Sequence, residues 1–228
     1  MSPFFRAALV LGLMCAVGPL ALDLFLPALP TVAGDLGGTA AGAQLTITAY
    51  FIAYGLAQMF YGPLADMAGR KPPVIAGLAL FAAGSLVCAF APDMNWLIAG
   101  RVVQALGGAA VMVIPRAIIR DMHTGREATR LMALVMLIIS VSPMLAPLLG
   151  SGVIAVSGWR TIFGVLAAAA GLSILMTVLL QPETLAPERR TPVRVRAILG
   201  SSARLLRDPL FMGLTFVGGF GMASFFVF

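Results

Sequence analysis

The sequence predicts an all-α protein that spans a membrane, and three observations support this prediction. Hydrophobic residues make up 60% of the chain and charged residues only 11%, whereas soluble domains contain about 45–50% and about 25%. The apolar residues form runs long enough to cross a bilayer, which takes about 20 residues. The charged residues lie mainly in the connectors between these runs. Strands of a β-barrel would be shorter and would alternate in polarity, so the runs are predicted to be helices.

Six spans are predicted before a long basic segment, and a seventh follows it. The six spans cover residues 7–29, 43–61, 73–91, 96–119, 131–156 and 161–180. The seventh begins near Pro209 and is still apolar at Phe228. Short connectors make neighbouring helices antiparallel. The predicted organisation is therefore a six-helix bundle (1–181), a basic linker (182–208) and the start of a seventh helix (209–228).

The first span could be mistaken for a cleaved signal peptide, because Arg6 precedes an apolar stretch. The apolar stretch continues past Asp23 to about Leu29, which is too long for the core of a signal peptide. We therefore predict an uncleaved first helix.

The basic residues predict the orientation of the chain. If the N-terminus is cytoplasmic, every lysine and arginine except Arg101 and Arg160 falls in a cytoplasmic segment. Cytoplasmic connectors of membrane proteins carry such an excess, so we predict this orientation. The linker at 182–208 is then either a plain solvated connector or one with a short amphipathic helix around 195–206 on anionic lipid.

Two charged residues lie inside predicted spans, where an unpaired charge is costly and commonly functional. Asp23 is seven residues before Pro30 and therefore roughly 10 Å inside the outer end of its helix. Arg101 is six residues after Asn95, roughly 9 Å inside the same end. We predict that both face one polar cavity and interact, directly or through water. A carboxylate balanced between burial and a nearby cation can load and release a proton; the alternatives are a static ion pair and a solvated Asp23.

The second and fourth spans carry polar stripes. All three tyrosines lie in the second span, where Tyr50, Tyr54, Gln58 and Tyr61 share one helical face. This stripe either lines a drug-sized cavity or hydrogen-bonds to a neighbouring helix. In the fourth span Gln104 shares a face with Arg101, and the small residues that follow permit close helix packing. A binding role for Gln104 is a further hypothesis.

The fifth span contains Pro143 and Pro147, followed by Gly150. Each proline removes a backbone donor and can bend the helix, while the glycine permits a tight crossing. A bent helix can act as a hinge or a gate, and a static kink is the alternative.

The connector between the second and third spans, residues 61–72, holds the first cluster of charges. It is too short for a domain, so the flanking helices must lie side by side with the charges at the membrane surface. The residues of interest are Gly62, Asp66, Gly69, Arg70 and Lys71.

The sequence disfavours enzymes and nucleic-acid-binding proteins. A net charge of +6 and a pI of about 10.4 would suggest nucleic acid for a soluble protein, but the basic residues here follow the pattern of membrane orientation. No residues have the spacing of a metal site, and neither a nucleotide-binding loop nor a nucleophile–base pair stands out. We expect no metal and no organic cofactor.

Four segments together resemble the major facilitator superfamily and, within it, the drug:proton antiporters of the bicyclomycin/chloramphenicol-resistance type. Residues 62–71 closely match the superfamily's signature loop between helices 2 and 3. Residues 100–108 resemble the fourth-helix motif with its buried arginine. Residues 23–30 resemble the first-helix pattern of this branch, and residues 146–150 resemble the antiporter motif of helix 5.

This resemblance implies twelve helices in two six-helix halves, each a 3+3 inverted repeat, with this chain providing the first half and the start of helix 7. It implies proton-coupled efflux of small amphipathic drugs or antibiotics across a bacterial inner membrane by alternating access. The coupling ion would be a proton, exchanged at Asp23 and tuned by Arg101. A second half, or another copy of the chain, would be needed to complete the fold.

The resemblance also assigns the connector between helices 2 and 3 to gating. Asp66 and Arg70 would join it to the cytoplasmic ends of nearby helices and close the inner gate. Candidate partners at the end of helix 4 are Arg116, Arg120 and Asp121.

Two alternatives to drug efflux remain at this stage. One is a facilitator-fold transporter of a metabolite, which the segment 23–30 argues against. The other is a half-protein that transports nothing alone.

Overall fold

The computed structural model describes residues 3–192, 200 and 204–227. Its helices are α1 (Pro3–Asp23), α2 (Leu29–Asp35), α3 (Ala40–Ala68), α4 (Lys71–Ala89), α5 (Met94–Met122), α6 (Gly125–Ser157), α7 (Arg160–Leu180) and α8 (Pro209–Val227), with 3₁₀ turns at Leu26–Ala28 and Pro187–Arg189. The described residues form two compact units, Met1–Thr191 and Pro192–Phe228. Six helical segments of the first unit are long and apolar enough to cross a membrane, which confirms the six predicted spans.

The first span is interrupted, although the sequence predicted one continuous helix. Its α-helical part ends at Asp23, and the chain continues through the 3₁₀ turn into α2. Pro27 and Pro30 cause this break, because each lies in the first turn of the element that follows it and has no N–H to donate to the preceding turn. Asp23 therefore lies at the C-terminal end of a helix and not in its middle.

The turn between α3 and α4 is much shorter than the predicted connector at 61–72. Helix α3 continues through Pro63 to Ala68, and α4 begins at Lys71. Gly69 ends α3 with a φ of +93°, a backbone conformation that glycine adopts without strain. Asp66 is consequently on the last turn of α3.

The packing of the first unit contains an internal repeat, with α1 and α2 counted as one span. Helices α3 and α4 both pack on α5, and α6 and α7 both pack on α1. In addition, α1 contacts α5, and α4 contacts α7. If spans 1, 2 and 3 are exchanged with spans 4, 5 and 6 in order, the same set of contacts results. Because the fourth span runs antiparallel to the first, the repeat is inverted, as the fold prediction required.

Small residues allow the backbones of α4 and α5 to touch. A Cβ atom added at Gly107 would overlap backbone atoms of Gly77 and Phe81 on α4. A Cβ atom added at Gly84 would meet the backbone of Gln104 in the same way. The glycines therefore set the distance between the helix that carries Arg101 and its neighbour.

We expect Gly107→Ala to destabilise the first unit, because α4 and α5 must separate to accept the methyl group. Overpacking of this kind costs about 1–3 kcal/mol, and each kcal/mol lowers the Tm of a chain of this size by about 2–4 °C. Thermal unfolding in detergent measures the change. Gly171→Ala is the matched control, since a Cβ atom at Gly171 on α7 meets nothing within 4 Å. Equal Tm values for the two variants would contradict the argument.

The second unit contains α8, which lies where the seventh span was predicted. Asp208 caps this helix: its Oδ1 accepts hydrogen bonds from the N–H groups of Leu210 (2.9 Å) and Phe211 (3.2 Å). Most of the hypothetical amphipathic helix at 195–206 falls outside the described residues.

Candidate functional site

Arg101 lies in the centre of the bundle and is fully buried. Its Nη1 donates hydrogen bonds to the carbonyl oxygen of Ala21 (3.0 Å) and to Oε1 of Gln104 (2.5 Å). The carbon of the guanidinium is 4.3 Å from the ring centre of Tyr50, 4.9 Å from that of Phe25 and 5.9 Å from that of Phe163. In the described part of the chain, Arg101 forms no ion pair. The three rings add to the two hydrogen bonds, with their negative faces directed towards the cation, while Nε and Nη2 of Arg101 have no hydrogen-bond partner among the described residues.

Gln104 links Arg101 to helix α4 through a directed chain of hydrogen bonds. Its Oε1 accepts from Arg101, and its Nε2 donates to Oγ of Ser85 (2.7 Å). The Ser85 hydroxyl donates in turn to the backbone oxygen of Phe81 (2.8 Å). Arg101, Gln104 and Ser85 are all buried. Each of them donates to the next acceptor in the order Gln104, Ser85 and the Phe81 backbone. This chain fixes the amide orientation of Gln104 and thereby the position of the Arg101 guanidinium.

Asp23 is buried at the end of α1, and its Oδ2 has no hydrogen-bond partner among the residues that the structure describes. The hydroxyl of Ser142 on α6 lies near the carboxylate, but the Ser142 Oγ also lacks a partner with hydrogen-bond geometry. The negative end of the helix dipole is at the C-terminus of α1, where an ionised carboxylate is disfavoured. A buried, ionised and unpaired carboxylate is costly.

Asp23 and Arg101 form no direct contact, which was one of the two kinds of interaction, direct or through water, that the sequence suggested. Arg101 instead binds the backbone at Ala21, two residues before Asp23. Two residues on an α-helix are separated by about 200° of rotation, so the face of α1 that meets Arg101 is opposite to the one that carries Asp23. The matching depths were informative, but depth along a helix does not specify the side on which a residue lies.

The tyrosine stripe of α3 faces α1, α4 and α5. The Tyr50 ring is fully buried over Arg101 and stacks on Tyr54 with 5.7 Å between ring centres. The Tyr54 hydroxyl lies near Gly18 on α1 and near Gln58. The Tyr61 hydroxyl lies near Gly77 on α4. Tyr50 thus belongs to the arginine site, whereas Tyr54, Gln58 and Tyr61 are half-buried, and Tyr61 also lines a cavity of about 260 Å³ between α3 and α5.

Helix α6 remains α-helical through Pro143 and Pro147. Ser142, Ala146 and Gly150 are buried at intervals of four residues and form the stripe that packs on α1. A Cβ atom at Gly150 would overlap the carbonyl oxygen of Leu24. The glycine thus brings α6 against the helix break that follows Asp23.

A second charged cluster lies at the end of the bundle that holds residues 66–71, 116–130 and 183–191, which we call the arginine-rich end. Arg70 donates through Nη1 to Oδ1 of Asp66 (2.5 Å) and through Nε to Oδ2 of Asp121 on α5 (2.8 Å). Asp121 is thus the partner from α5. Arg116 contacts Met112 instead, and Arg120 makes no ion pair in the residues that the structure describes. Adjacent residues on a helix point about 100° apart, so Arg120 cannot share the direction of Asp121.

The segment after α7 binds the α3–α4 turn. Glu183 accepts backbone hydrogen bonds from Arg70 (2.9 Å), the N-cap of α4, and from Lys71 (3.0 Å), its first residue. The Lys71 ammonium donates to the carbonyl oxygen of Val178 near the C-terminus of α7 (2.9 Å), where a cation is favoured. The Thr191 N–H donates to the carbonyl oxygen of Asp66 (3.0 Å). We call residues 181–191 the strap, because they connect α7 to the turn.

The strap and the turn shift the pKa values of two groups outside the membrane spans. Burial acts to lower the pKa of Arg70, but the hydrogen bonds and charges of Asp121 and Asp66 outweigh it and raise that pKa. Burial acts to raise the pKa of Glu183, but its backbone hydrogen bonds, two of them within the strap, outweigh burial and lower that pKa below the ordinary 4.5. Both groups are held in their charged forms.

We expect Glu183→Gln to lower the free energy of unfolding by about 0.5–1 kcal/mol at neutral pH. Hydrogen bonds to a charged group are worth more than this when buried, but Glu183 is largely exposed to solvent. Because its folded pKa is depressed, its contribution is complete above pH 4.5 and is lost as the pH falls through the folded value. Thermal unfolding at neutral and acidic pH checks this result.

The matched control for Glu183→Gln is Glu188→Gln, the same change at an exposed position of the strap. It should leave the Tm unchanged at each pH. A difference between the Glu183 variant and the native chain that stays constant down to acidic pH would contradict the linkage to the carboxylate.

Several members of these sites were not identified from the sequence. Phe25, Phe163 and Ser85 surround Arg101, and Ser142 was noted only as part of the fifth span. These residues are ordinary for apolar helices and carry no signal of their own. No group of three potential metal ligands occurs among the described residues.

A bundle of six spans with an internal inverted repeat and a buried polar centre is the architecture of one half of a secondary transporter. The family model "Major Facilitator Superfamily" matches residues 10–228. The chain therefore belongs to the major facilitator superfamily.

Individual relatives agree with this family and cover the chain almost completely. An uncharacterized MFS-type transporter, YdgK of Bacillus subtilis, is 37% identical over 93% of this chain and 54% of its own length. A bicyclomycin resistance protein homolog of Haemophilus influenzae is 30% identical over 98% of this chain and 56% of its own length. The human organic anion transporter MFSD10 has the same fold, with a TM-score of 0.71 at 21% identity over 85% of this chain and 51% of that one. The chain thus spans about half the length of the relatives that it matches.

Proposed function

We propose that the chain forms the first half of a proton-coupled efflux transporter for small amphipathic compounds, in a bacterial inner membrane with its N-terminus in the cytoplasm. The observation that carries this proposal is Asp23: a buried carboxylate at a helix break, with an unpartnered oxygen and no cation paired to it. Such a group in a membrane domain is a site for proton exchange. The printed name of the Haemophilus relative, a bicyclomycin resistance protein homolog, supports the substrate class.

In this proposal Arg101 positions the first span and does not pair with the proton carrier. Its hydrogen bond to the carbonyl oxygen of Ala21 holds the last turn of α1. Gly150 of α6 packs against the carbonyl oxygen of Leu24, just beyond Asp23. Substrate that enters from the α6 side would meet the protonated carboxylate, and release of the proton would restore the charge. Asp23 would thereby couple substrate binding to proton movement.

The ion pairs at the arginine-rich end provide the second part of the proposed mechanism. Arg70 ties α3 to α5 through Asp66 and Asp121, while Glu183 ties the strap to α4. These contacts keep four spans together as one rigid body at that end. Alternating access in this fold class is largely the rocking of one such body against its counterpart.

We further propose that transport requires a second bundle. Helices α3 and α6 expose many large apolar side chains, including Ile52, Leu56, Met144 and Leu148. Apolar faces of this extent are covered by lipid or by protein. Since the chain spans about half of each relative it matches, a second six-helix half is the counterpart that we favour.

Inverted membrane vesicles test the function. The chain would be supplied with a second bundle taken from the Haemophilus relative. In energised vesicles, addition of bicyclomycin should release protons, seen as recovery of quenched acridine fluorescence, and a protonophore should abolish the response. If bicyclomycin leaves the fluorescence unchanged and the vesicles take up a labelled metabolite, the proposal of drug efflux is overturned in favour of a metabolite transporter. The chain alone should give no response.

A further inference from the structure

An apolar cavity lies at the end of the bundle opposite to the arginine-rich end. We call this the tryptophan end, because Trp96 and Trp159, the two tryptophans of the chain, both lie there. The cavity has a volume of about 450 Å³, within the range of about 300–1,000 Å³ that ligand sites occupy. It lies between the end of α4 and the start of α5. Its lining residues are Leu86, Val87, Phe90, Pro92 and Trp96.

The guanidinium of Arg160 lies beside this cavity. Nη2 of Arg160 donates a hydrogen bond to the carbonyl oxygen of Ala91 (3.1 Å), the residue between the lining residues Phe90 and Pro92. Its guanidinium lies over the Trp159 ring, 4.3 Å from the ring centre. The Trp159 indole is itself fixed by a hydrogen bond from Nε1 to Oδ2 of Asp35 (2.9 Å). The hydrogen bond to Ala91 and the contact with the Trp159 ring therefore fix the position of the Arg160 guanidinium.

Most N–H groups of Arg160 form no hydrogen bond with the described residues. A guanidinium carries five N–H groups, and one hydrogen bond is formed with protein. Among the described residues it has no ion pair, and the first turn of α7 contains no acidic residue. The positive end of the α7 dipole therefore adds to the charge of Arg160. Two carboxylates are near, that of Asp35 on the Trp159 indole and that of Asp93 beside the lining residue Pro92, but neither forms an ion pair with Arg160. The remaining N–H groups of Arg160 can therefore donate to an anion next to the apolar cavity.

We propose that this cavity and Arg160 bind one phospholipid of the leaflet at the tryptophan end. An acyl chain would fill the apolar cavity, and the phosphate would accept hydrogen bonds from Arg160, whose planar fork suits a phosphate. Trp96 and Phe90 are largely exposed, and aromatic residues favour the depth where acyl chains meet headgroups. Charge complementarity selects a phospholipid over an uncharged drug. The inference requires only that the spans lie in a bilayer and does not depend on the proposed transport.

A photoactivatable lipid tests this binding site. The 228-residue chain would be placed in nanodiscs of phosphatidylethanolamine and phosphatidylglycerol that contain phosphatidylglycerol with a diazirine in its acyl chain. Mass spectrometry after illumination should find the label concentrated on residues 86–96. Arg160→Gln, which keeps a donor for Ala91, should reduce this label about tenfold, the loss expected for one charge-assisted hydrogen bond. Arg160→Lys should retain most of it.

Further variants separate the cavity from the charge. Leu86→Trp fills the cavity and should displace the label even with Arg160 present. Two controls should leave it unchanged: Leu172→Trp, on the exposed face of α7, and Arg126→Gln, at the arginine-rich end. Size-exclusion chromatography of each variant confirms that it is folded.

The outcomes are distinct. Equal labelling by a diazirine diacylglycerol, which has no phosphate, would show a groove filled by bulk lipid and overturn the proposal. Labelling of residues 86–96 no stronger than that of other exposed helices would do the same. Displacement of the lipid by bicyclomycin with no effect of Arg160→Gln would identify a drug vestibule instead. None of these results depends on whether the vesicle assay detects efflux.

Discussion

Asparagine in place of Asp23 is expected to abolish drug-driven proton release by the complete transporter while leaving the bundle folded. The amide has nearly the same volume and shape as the carboxyl group but cannot exchange a proton. Because Asp23 is buried at the C-terminus of α1 without a cation, the neutral amide also removes the cost of an ionised group there. We expect the Tm to be unchanged or raised and the fluorescence response to fall to background.

Two variants show whether the loss is specific to a titrating group at this position. Asp23→Glu keeps the carboxyl group one methylene further out and should retain partial coupling. Asp93→Asn makes the same substitution at the N-cap of α5, where the side chain accepts a hydrogen bond from the Trp96 N–H (2.9 Å). Asparagine caps helices as well as aspartate does, so this control should transport normally. Unimpaired coupling in Asp23→Asn would refute the role of Asp23.

The neighbouring hydroxyl refines this expectation. Ser142 lies near the carboxylate, and its own Oγ has no hydrogen-bond partner among the described residues. Ser142→Ala should shift the pH dependence of coupled efflux without abolishing it, because the proton carrier remains. A pH profile identical to that of the native transporter would show that the hydroxyl does not interact with Asp23 during transport.

The spans of this fold could be predicted from the sequence because the bilayer imposes them. Each span needs a long apolar run, and the connectors collect the charges. The bounds were less accurate: α3 extends to Ala68 and α6 begins at Gly125, because helices continue past the apolar layer into water. The break after Asp23 could have been anticipated from Pro27 and Pro30, whose missing donors interrupt the helix.

The partners of buried groups could not be predicted in the same way. The pair of Asp66 and Arg70 is an exception, because a separation of four residues places both on one side of a helix end. Phe25 and Phe163 reach Arg101 from two other spans, and apolar aromatic residues are too common in membrane helices to mark a site. Glu183 lies 113 residues from Arg70, and local periodicity contains no information on such a contact. Helix packing decides these pairings.

Removal of the Arg101 side chain is expected to have the largest effect on stability of any single change in the bundle. Arg101→Ala leaves Oε1 of Gln104 and the carbonyl oxygen of Ala21 without donors and opens a void between the rings of Tyr50 and Phe25. Unpaired buried acceptors cost about 1–3 kcal/mol each, and core truncations cost about 2–5 kcal/mol. Relief from burying a cation offsets part of this. We expect a net loss of about 3–5 kcal/mol and a Tm lower by about 10 °C.

Thermal unfolding followed by tryptophan fluorescence measures this change. Arg120→Ala is the matched control, since Arg120 is exposed on the same helix and should have almost no effect on the Tm. Arg101→Lys keeps the charge under the rings but has no planar fork, so it should lie between the native chain and the alanine variant. Equal Tm values for Arg101→Ala and Arg120→Ala would contradict the structural role.

Arg101→Met separates the stabilising role from the role in transport. Methionine restores most of the volume between the rings and adapts to irregular gaps, but it cannot donate to Ala21 or Gln104. The Tm of Arg101→Met should therefore be higher than that of Arg101→Ala, because the void is filled. It should remain below that of the native chain, because the two acceptors still lack donors. If Arg101 positions the end of α1 for proton exchange at Asp23, Arg101→Met should still lack coupled efflux, whereas Arg101→Lys should keep part of it. If the rate of coupled efflux instead falls in proportion to the Tm in the alanine, lysine and methionine variants, Arg101 only stabilises the bundle.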